Sequence, residues 1–337
     1  MSVTIKDVAR QANVSVATVS RALNGHPNVA EEVRQRVFDV ATRLRYSPHH
    51  AARSLSSRRT QTIGVVLPDL YGEFFSELMR GIDQVARERG LHLLVSSYHG
   101  NPAEQGAALR TMRGRVDGLL LMSPFLGATE ALASELPPLP VVLMNPAVAV
   151  EGLAAVGVDN HGGAMAMVRH LLEAGHRRIA FIAGPEDNFD AAERLRGYRE
   201  AMAQGAPDVA PRVLPGDFGE ASGHRAGKAL LEGGTLPDAV FAATDMMALG
   251  CLFALGEGGL RVPGDLALSG FDDVPLSRYV HPPLTTIRVE IAELGALAIR
   301  RLLEAGTEET GGGDVGPRLL RPRLVVRASC GAVPDTG

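Results

Sequence analysis

Ten of the 34 Lys and Arg residues fall within positions 1–60, against four acids (Asp7, Glu31, Glu32 and Asp39), so that segment carries +6. The remaining 277 residues hold 24 bases and 34 acids, or −10. Inside the basic segment the short hydrogen-bonding side chains of Ser15, Thr18, Ser20 and Asn24 surround one arginine, Arg21, next to two small apolar residues, Val16 and Ala17. Short hydroxyls and amides suit phosphate oxygens, and a guanidinium fork suits a pair of acceptors in one plane. A basic head on an acidic body fits a chain that grips an anionic polymer at one end only. Catalytic arrangements are not legible: there is no nucleophile elbow, phosphate-binding loop or dinucleotide fingerprint. Two cysteines, Cys251 and Cys330, make neither a disulfide framework nor a zinc site by themselves. The expectation is a chain that is not an enzyme and needs no cofactor and no metal.

The elements that must position these residues follow from hydrophobic period. With 337 residues the chain is long enough for two or three domains. Residues 4–45 show only helical spacing. Thr4 and Asp7 read as a capping pair opening a first helix, and Ser15 as the cap of a second helix over Val16–Leu23 that Asn24-Gly25 ends. A third helix spans about Ala30 to Leu44, and Val8, Val14, Val19, Val33 and Val37 make a small core. Ser47-Pro48 breaks that helix, and a polar stretch to Gln61 reads as a hinge. Beyond it, short apolar runs such as Ile63–Leu67, Gly118–Met122 and Ala239–Ala242 alternate with amphipathic stretches such as Phe74–Arg89, Ala191–Gln204 and Ile291–Leu303. That alternation predicts doubly wound parallel sheets with helices on both faces. So many strands exceed one comfortable sheet, which splits the body into two α/β lobes. The domains read as 1–46, a hinge at 47–61, a two-lobed body at 62–330 and a tail at 331–337. Lobe 1 takes about 62–159 and 290–320, and lobe 2 about 160–289 and 321–330. No export leader and no apolar run of membrane-spanning length is legible, so the reading is cytoplasmic, with no membrane partner.

The run from Thr4 to Asn24, TIKDVARQANVSVATVSRALN, resembles the DNA-binding headpiece of the LacI/GalR family of bacterial repressors. The resemblance continues through Tyr46-Ser47-Pro48, Ala52-Arg53-Ser54-Leu55, Gly175-His176-Arg177-Arg178-Ile179, Gly270-Phe271-Asp272-Asp273 and Pro283-Leu284-Thr285-Thr286-Ile287. It implies a helix-turn-helix headpiece with a hinge helix, then a two-lobed regulatory core like that of periplasmic binding proteins. It implies a transcriptional repressor, dimeric on a pseudo-palindromic operator, whose DNA affinity a small molecule controls. The second helix becomes the recognition helix. Val16 and Ala17 meet thymine methyls, Arg21 reads guanine O6 and N7, and Thr4, Ser15, Thr18, Ser20 and Asn24 serve phosphates. Tyr46, Ala52, Arg53 and Leu55 belong to the hinge end of the DNA contact, with Leu55 a wedge between base steps in the minor groove.

Matching family positions place the effector site between the lobes. They point to Asp69, Phe74 and Phe75 after the first strand, to Asn188, Asp190 and Arg194, to Phe218, and to Asp245 and Asp272 at strand ends. Carboxylates with an arginine and an aromatic face suit the vicinal hydroxyls of a sugar, while two phenylalanines suit a nucleobase equally well in stacking. A sugar effector is the expectation and a purine or nucleoside corepressor the alternative. Gly72-Glu73 departs from the Asn-Pro of many relatives. No leucine heptad follows Cys330, so a homodimer is expected.

Overall fold

The computed structural model describes residues 3–23, 26–46, 59–125, 135–148, 150–305 and 316–331. Asn24, Ala52, Arg53, Leu55, most of the hinge and the tail beyond Gly331 lie outside the described residues. The chain divides into two compact units, Met1–Thr60 and Gln61–Gly337.

In the first unit, α1 (Ile5–Ala12), α2 (Val16–Leu23) and α3 (Glu31–Arg43) close on each other. Thr4 opens α1: its backbone N–H and its hydroxyl both donate to Asp7 Oδ2, at 3.0 and 2.7 Å. These bonds hold the Asp7 carboxyl below its usual range. Asn13 ends α1 at φ 54°, a left-handed conformation that its short side chain tolerates. Ser15 Oγ accepts the Thr18 N–H at 3.0 Å and so caps α2. The core comprises Val8, Ala9, Ala12, Val19, Ala22, Val29, Val37, Val40 and Ala41, with Val14, Val33, Leu44 and Tyr46 half-buried against it.

The second unit carries two six-stranded sheets. The first contains β1 (Thr62–Leu67), β2 (His92–Ser97), β3 (Gly118–Met122), β4 (Val141–Met144), β5 (Ala154–Val158) and β11 (Pro317–Leu320), in the order β11-β5-β4-β3-β1-β2, all parallel. The second contains β6 (Ile179–Ile182), β7 (Arg212–Leu214), β8 (Ala239–Ala242), β9 (Ala267–Asp272), β10 (Thr285–Arg288) and β12 (Arg323–Val325), in the order β12-β10-β9-β8-β6-β7. Only β12 runs antiparallel there. The helices are α4 (Glu73–Glu88), α5 (Pro102–Met112), α6 (Asn160–Glu173), α7 (Phe189–Gly205), α8 (Glu220–Glu232), α9 (Asp245–Glu257) and α10 (Ile291–Ala305). The chain passes between the sheets after β5, after β10 and after β11. Each sheet reverses its order of addition once, between β1 and β3 and between β6 and β8, and ligands of such folds bind at those reversals.

Three strands go beyond the sequence reading. β7 is three residues between prolines, β10 begins with two threonines, and β11 is an exposed edge. The threonines of β10 are fully buried and work as hydrogen-bond donors: Thr285 Oγ1 to the Arg327 carbonyl at 3.0 Å and Thr286 Oγ1 to Asp245 at 2.5 Å. Pro317 begins β11, pairing with Ala155. Helices α8 and α9 cross at backbone distance. A Cβ on Gly250 would stand 1.9 Å from the Glu220 carbonyl oxygen, and one on Gly223 2.0 Å from that of Met247.

A buried carboxylate ties the C-terminal strands together. Asp273 receives Arg327 Nη2 at 2.5 Å, Arg288 Nε, and the Ser277 hydroxyl at 2.9 Å. Burial alone would raise this carboxyl; the bonds from Arg327 and Arg288 overcome it and hold Asp273 below the ordinary value. Removing the charge leaves two guanidinium groups without their shared partner. Asp273→Asn is therefore expected to lower the unfolding free energy by roughly 3 kcal/mol, read from equilibrium urea unfolding. A change under half that size would mean that solvent replaces the carboxylate.

Candidate functional site

The first unit offers a candidate nucleic-acid surface. α2 buries Val19 and Ala22 and turns Ser15, Val16, Ala17 and Arg21 outward. Val16 is 41% exposed, although valine is normally a core residue. Its neighbours on that face are Ala17 and, one turn on, Ser20 and Arg21. The Arg21 guanidinium has no ion-pair partner among the described residues. Thr4, Ser15 and Thr18 have structural work as well: Thr4 bonds Asp7, and the hydroxyls of Ser15 and Thr18 lie 2.8 Å apart. Tyr46 packs on the core beside α3.

The second unit contains a cleft of about 320 Å³, within the size range of small-molecule sites. It sits at the carboxyl ends of β1, β3, β6, β8 and β9, where both sheets reverse order. Asp69, Phe74, Phe75, Asn188, Asp190, Arg194, Phe218 and Asp272 all line it. Asp245 does not, which corrects its assignment: it is fully buried beneath the cleft, where it accepts the Thr286 hydroxyl and the Val274 N–H at 2.9 Å. Its carboxylate serves the strand layer instead of a ligand. Burial first, and then the neighbouring Asp272, push its proton affinity well above the usual value.

Arg194 is the hub of the cleft floor. From α7 its Nε donates to Asn160 Oδ1 at 2.8 Å and its Nη1 to the Ala243 carbonyl at 2.5 Å, while Nη2 stands 3.3 Å from Asp272 Oδ1. The guanidinium lies 3.9 Å from the Phe271 ring and 5.7 Å from that of Phe218. Asp190 accepts from Asn160 Nδ2 at 2.8 Å and from Asn145 Nδ2, at the end of β4, at 2.9 Å. One carboxylate is thus held from both lobes. Burial raises Asp190, and Arg194 and the two amides oppose the rise. Asp272 is raised to about 7 by burial, with Arg194 opposing and Asp190 adding to the rise. Its Oδ1 is buried and accepts no hydrogen bond from the described residues. Asp272 also holds φ 112°, a strained conformation of the kind that collects at functional sites.

The aromatic wall is Phe74 and Phe75, edge to face at 5.4 Å, with Phe218 across the cleft. Phe218 lies over Gly184, where any Cβ would fall 2.2 Å from the ring. Sequence reasoning missed the residues that orient this set. Asn145 and Asn160 act through Asp190 and Arg194. Tyr71 Oη donates to Glu220 at 2.7 Å, and the Leu276 N–H donates to Glu73 at 3.3 Å, each bond joining the two lobes at the cleft rim. Tyr71, an exposed aromatic beside the likewise exposed Leu70 in the turn after Asp69, was the available signal. Among the described residues no three metal-ligating side chains converge, and no helix is long and apolar enough to cross a membrane.

Residues 4–49 match the model of the bacterial regulatory proteins of the lacI family, and residues 168–330 that of a periplasmic binding protein-like domain. The HTH-type transcriptional repressor PurR of Klebsiella pneumoniae (strain 342) is 37% identical over 330 residues, 96% of each chain. The Lac repressor dimer bound to operator and the anti-inducer ONPF superposes with a TM-score of 0.88 at 30% identity, over 98% of this chain and 100% of that one. The transcriptional regulator CelR in complex with cellobiose gives 0.70 at 33% identity, over 97% and 99%. A helix-turn-helix unit followed by a two-lobed core with parallel sheets defines a class of effector-controlled transcriptional repressors. This chain belongs to the LacI family.

The Asp272 carboxyl carries a pH signature. Because its proton affinity is raised on folding, its contribution to stability is intact below about pH 4 and is lost as pH climbs to about 7. Asp272→Asn removes the titration. Between pH 5 and 8 the melting temperature of the wild-type chain is expected to fall by a few degrees more than that of the variant. Parallel melting curves would assign the pH dependence to other groups.

Proposed function

We propose that this repressor reads operator DNA through the exposed face of α2 and releases or tightens it according to a sugar held in the cleft. The observation that carries the reading is the cleft floor, where Arg194, Asp190 and Asp272 converge beneath Phe218. Charged groups that present paired acceptors and donors match vicinal hydroxyls, and a phenylalanine face covers the apolar side of a pyranose or furanose ring. A structural neighbour in complex with cellobiose supports the same class of ligand.

On the DNA side, Arg21 supplies hydrogen-bonded base readout, Val16 and Ala17 meet thymine methyls, and Thr4, Ser15, Thr18 and Ser20 position the helix on phosphates. A cytoplasmic homodimer sets two such helices on a pseudo-palindrome, as a repressor dimer on its operator is arranged in the Lac repressor neighbour. The effector sites are Asp69, Phe74, Phe75, Asn188, Asp190, Arg194, Phe218 and Asp272. The lobes comprise about 62–159 with 290–320, and 160–289 with 321–330. The effector acts by binding two lobe arrangements unequally, a coupling that typically amounts to about 1–3 kcal/mol.

A thermal-shift screen of sugars and purines against the full chain tests the effector, since a ligand of the native state raises apparent stability by mass action. Stabilisation by purines with none by any sugar would replace the sugar with a purine corepressor. Arg21→Ala is expected to weaken binding to the operator by roughly 10- to 100-fold while sparing affinity for unrelated DNA, measured by mobility shift. Equal losses on both DNAs would demote Arg21 to a phosphate contact.

A further inference from the structure

Four helices aim their N-termini at the cleft, for Gly72, Asn188, Gly219 and Thr244, the residues that precede α4, α7, α8 and α9, all line it. Unpaired N–H groups and the helix dipole make such ends attractive to anions. Here each first turn already carries a carboxyl of the chain itself: Glu73, Asp190, Glu220 and Asp245. The Asn188 and Thr244 side chains also accept N–H groups of their own helices, from Ala191 at 3.1 Å and Met247 at 3.2 Å. The N-terminal turns that face the cleft thus already carry negative charge.

The walls add Asp69, Asp187 and Asp217. Asp217 is paired with Arg225 at 3.0 Å and can be set aside. Against the remainder, Arg194 is the one basic side chain among the described lining residues, and its charge is already shared with Asn160, the Ala243 carbonyl and Asp272. On the floor, the buried Asp272 Oδ1 meets Arg194 Nη2 as an ion pair at 3.3 Å and accepts no well-formed hydrogen bond from the described residues. An acceptor in that state is satisfied by an O–H or N–H and repelled by a second anionic oxygen.

We infer that the cleft excludes anions and selects an effector with neither phosphate nor carboxylate, a neutral polyol or an amine-bearing one. The inference rests on the cleft being the effector site and deepens the sugar reading by fixing the charge of the ligand. An amino sugar gains where a phosphorylated sugar loses.

The test compares matched pairs by isothermal titration of the full-length protein: glucose with glucose 6-phosphate, ribose with ribose 5-phosphate, cellobiose with cellobionate, and adenosine with its 5′-monophosphate. Glucosamine extends the first pair to positive charge. In whichever pair responds, the neutral member is expected to bind on the order of 10- to 100-fold more tightly than the anion. The gap is expected to narrow as salt rises and in the double variant Asp187→Asn, Glu220→Gln, which a purely steric rejection of phosphate would not show. An anion that binds as tightly as its neutral partner, or a gap indifferent to both salt and the variant, overturns the inference. The two readings fail separately. A sugar phosphate that wins leaves the sugar reading standing without the charge rule, and adenosine that wins alone leaves the charge rule standing without the sugar.

Discussion

The cleft depends on one guanidinium. Arg194 is enclosed by an amide, a backbone carbonyl, a carboxylate and two aromatic rings, drawn from four stretches of chain, with Phe271 and Asp272 neighbours at the end of β9. A buried cation is tolerable only when its donors are met, so the ends of β8 and β9 and the start of α6 must stand where they do. Two carboxyls, Asp190 and Asp272, crowd the same charge, and one cation cannot neutralise both in a shielded place. Their raised proton affinities are the chemical trace of that imbalance. A ligand that donates hydrogen bonds relieves it. The cleft floor is therefore electrostatically incomplete by construction, while Asp273, one residue further along, is fully compensated and belongs to the framework.

The headpiece solves a different problem with few residues. A three-helix unit has little apolar area to bury, and its buried set is valine and alanine throughout. Caps take over part of the work, with Thr4 and Asp7 opening α1, Asn13 ending it and Ser15 opening α2. This economy is what frees Val16, Ala17 and Arg21 to face outward. Polar residues that serve as caps also stand close to the outward face, so the same hydroxyls set the helix and line its approach.

Much of this was legible in the sequence because it is local. α2 was read at Val16–Leu23 from a serine cap and helical spacing, and β3 and β8 from short apolar runs. What escaped depends on distance through space. β10 reads as polar because Thr285 and Thr286 carry hydroxyls, yet both are buried, since Arg327 and Asp245 accept from them across the strand layer. Asp245 reads as a strand-end acceptor facing a ligand, but those same contacts turn it inward. Asn145 and Asn160 show no pattern at all. Their roles exist only once Asp190 and Arg194 are brought between them from α7. Residue type and spacing announce a cap or a stripe; they do not announce which of two faces a lone polar side chain will choose.

The passages between the two sheets are short: Asp159 alone separates β5 from α6, Val289 and Glu290 separate β10 from α10, and Arg321 and Pro322 separate β11 from β12. Two rigid bodies joined by one flexible tether have six relative degrees of freedom, and three stiff tethers remove most of them. Three short tethers favour a change of angle between the lobes over free translation. The bonds from Tyr71 to Glu220 and from Glu73 to Leu276 span the lobes at the cleft rim and oppose such a change. A molecule that fits the cleft touches both lobes at once, so whatever it does to that angle it does to the whole core.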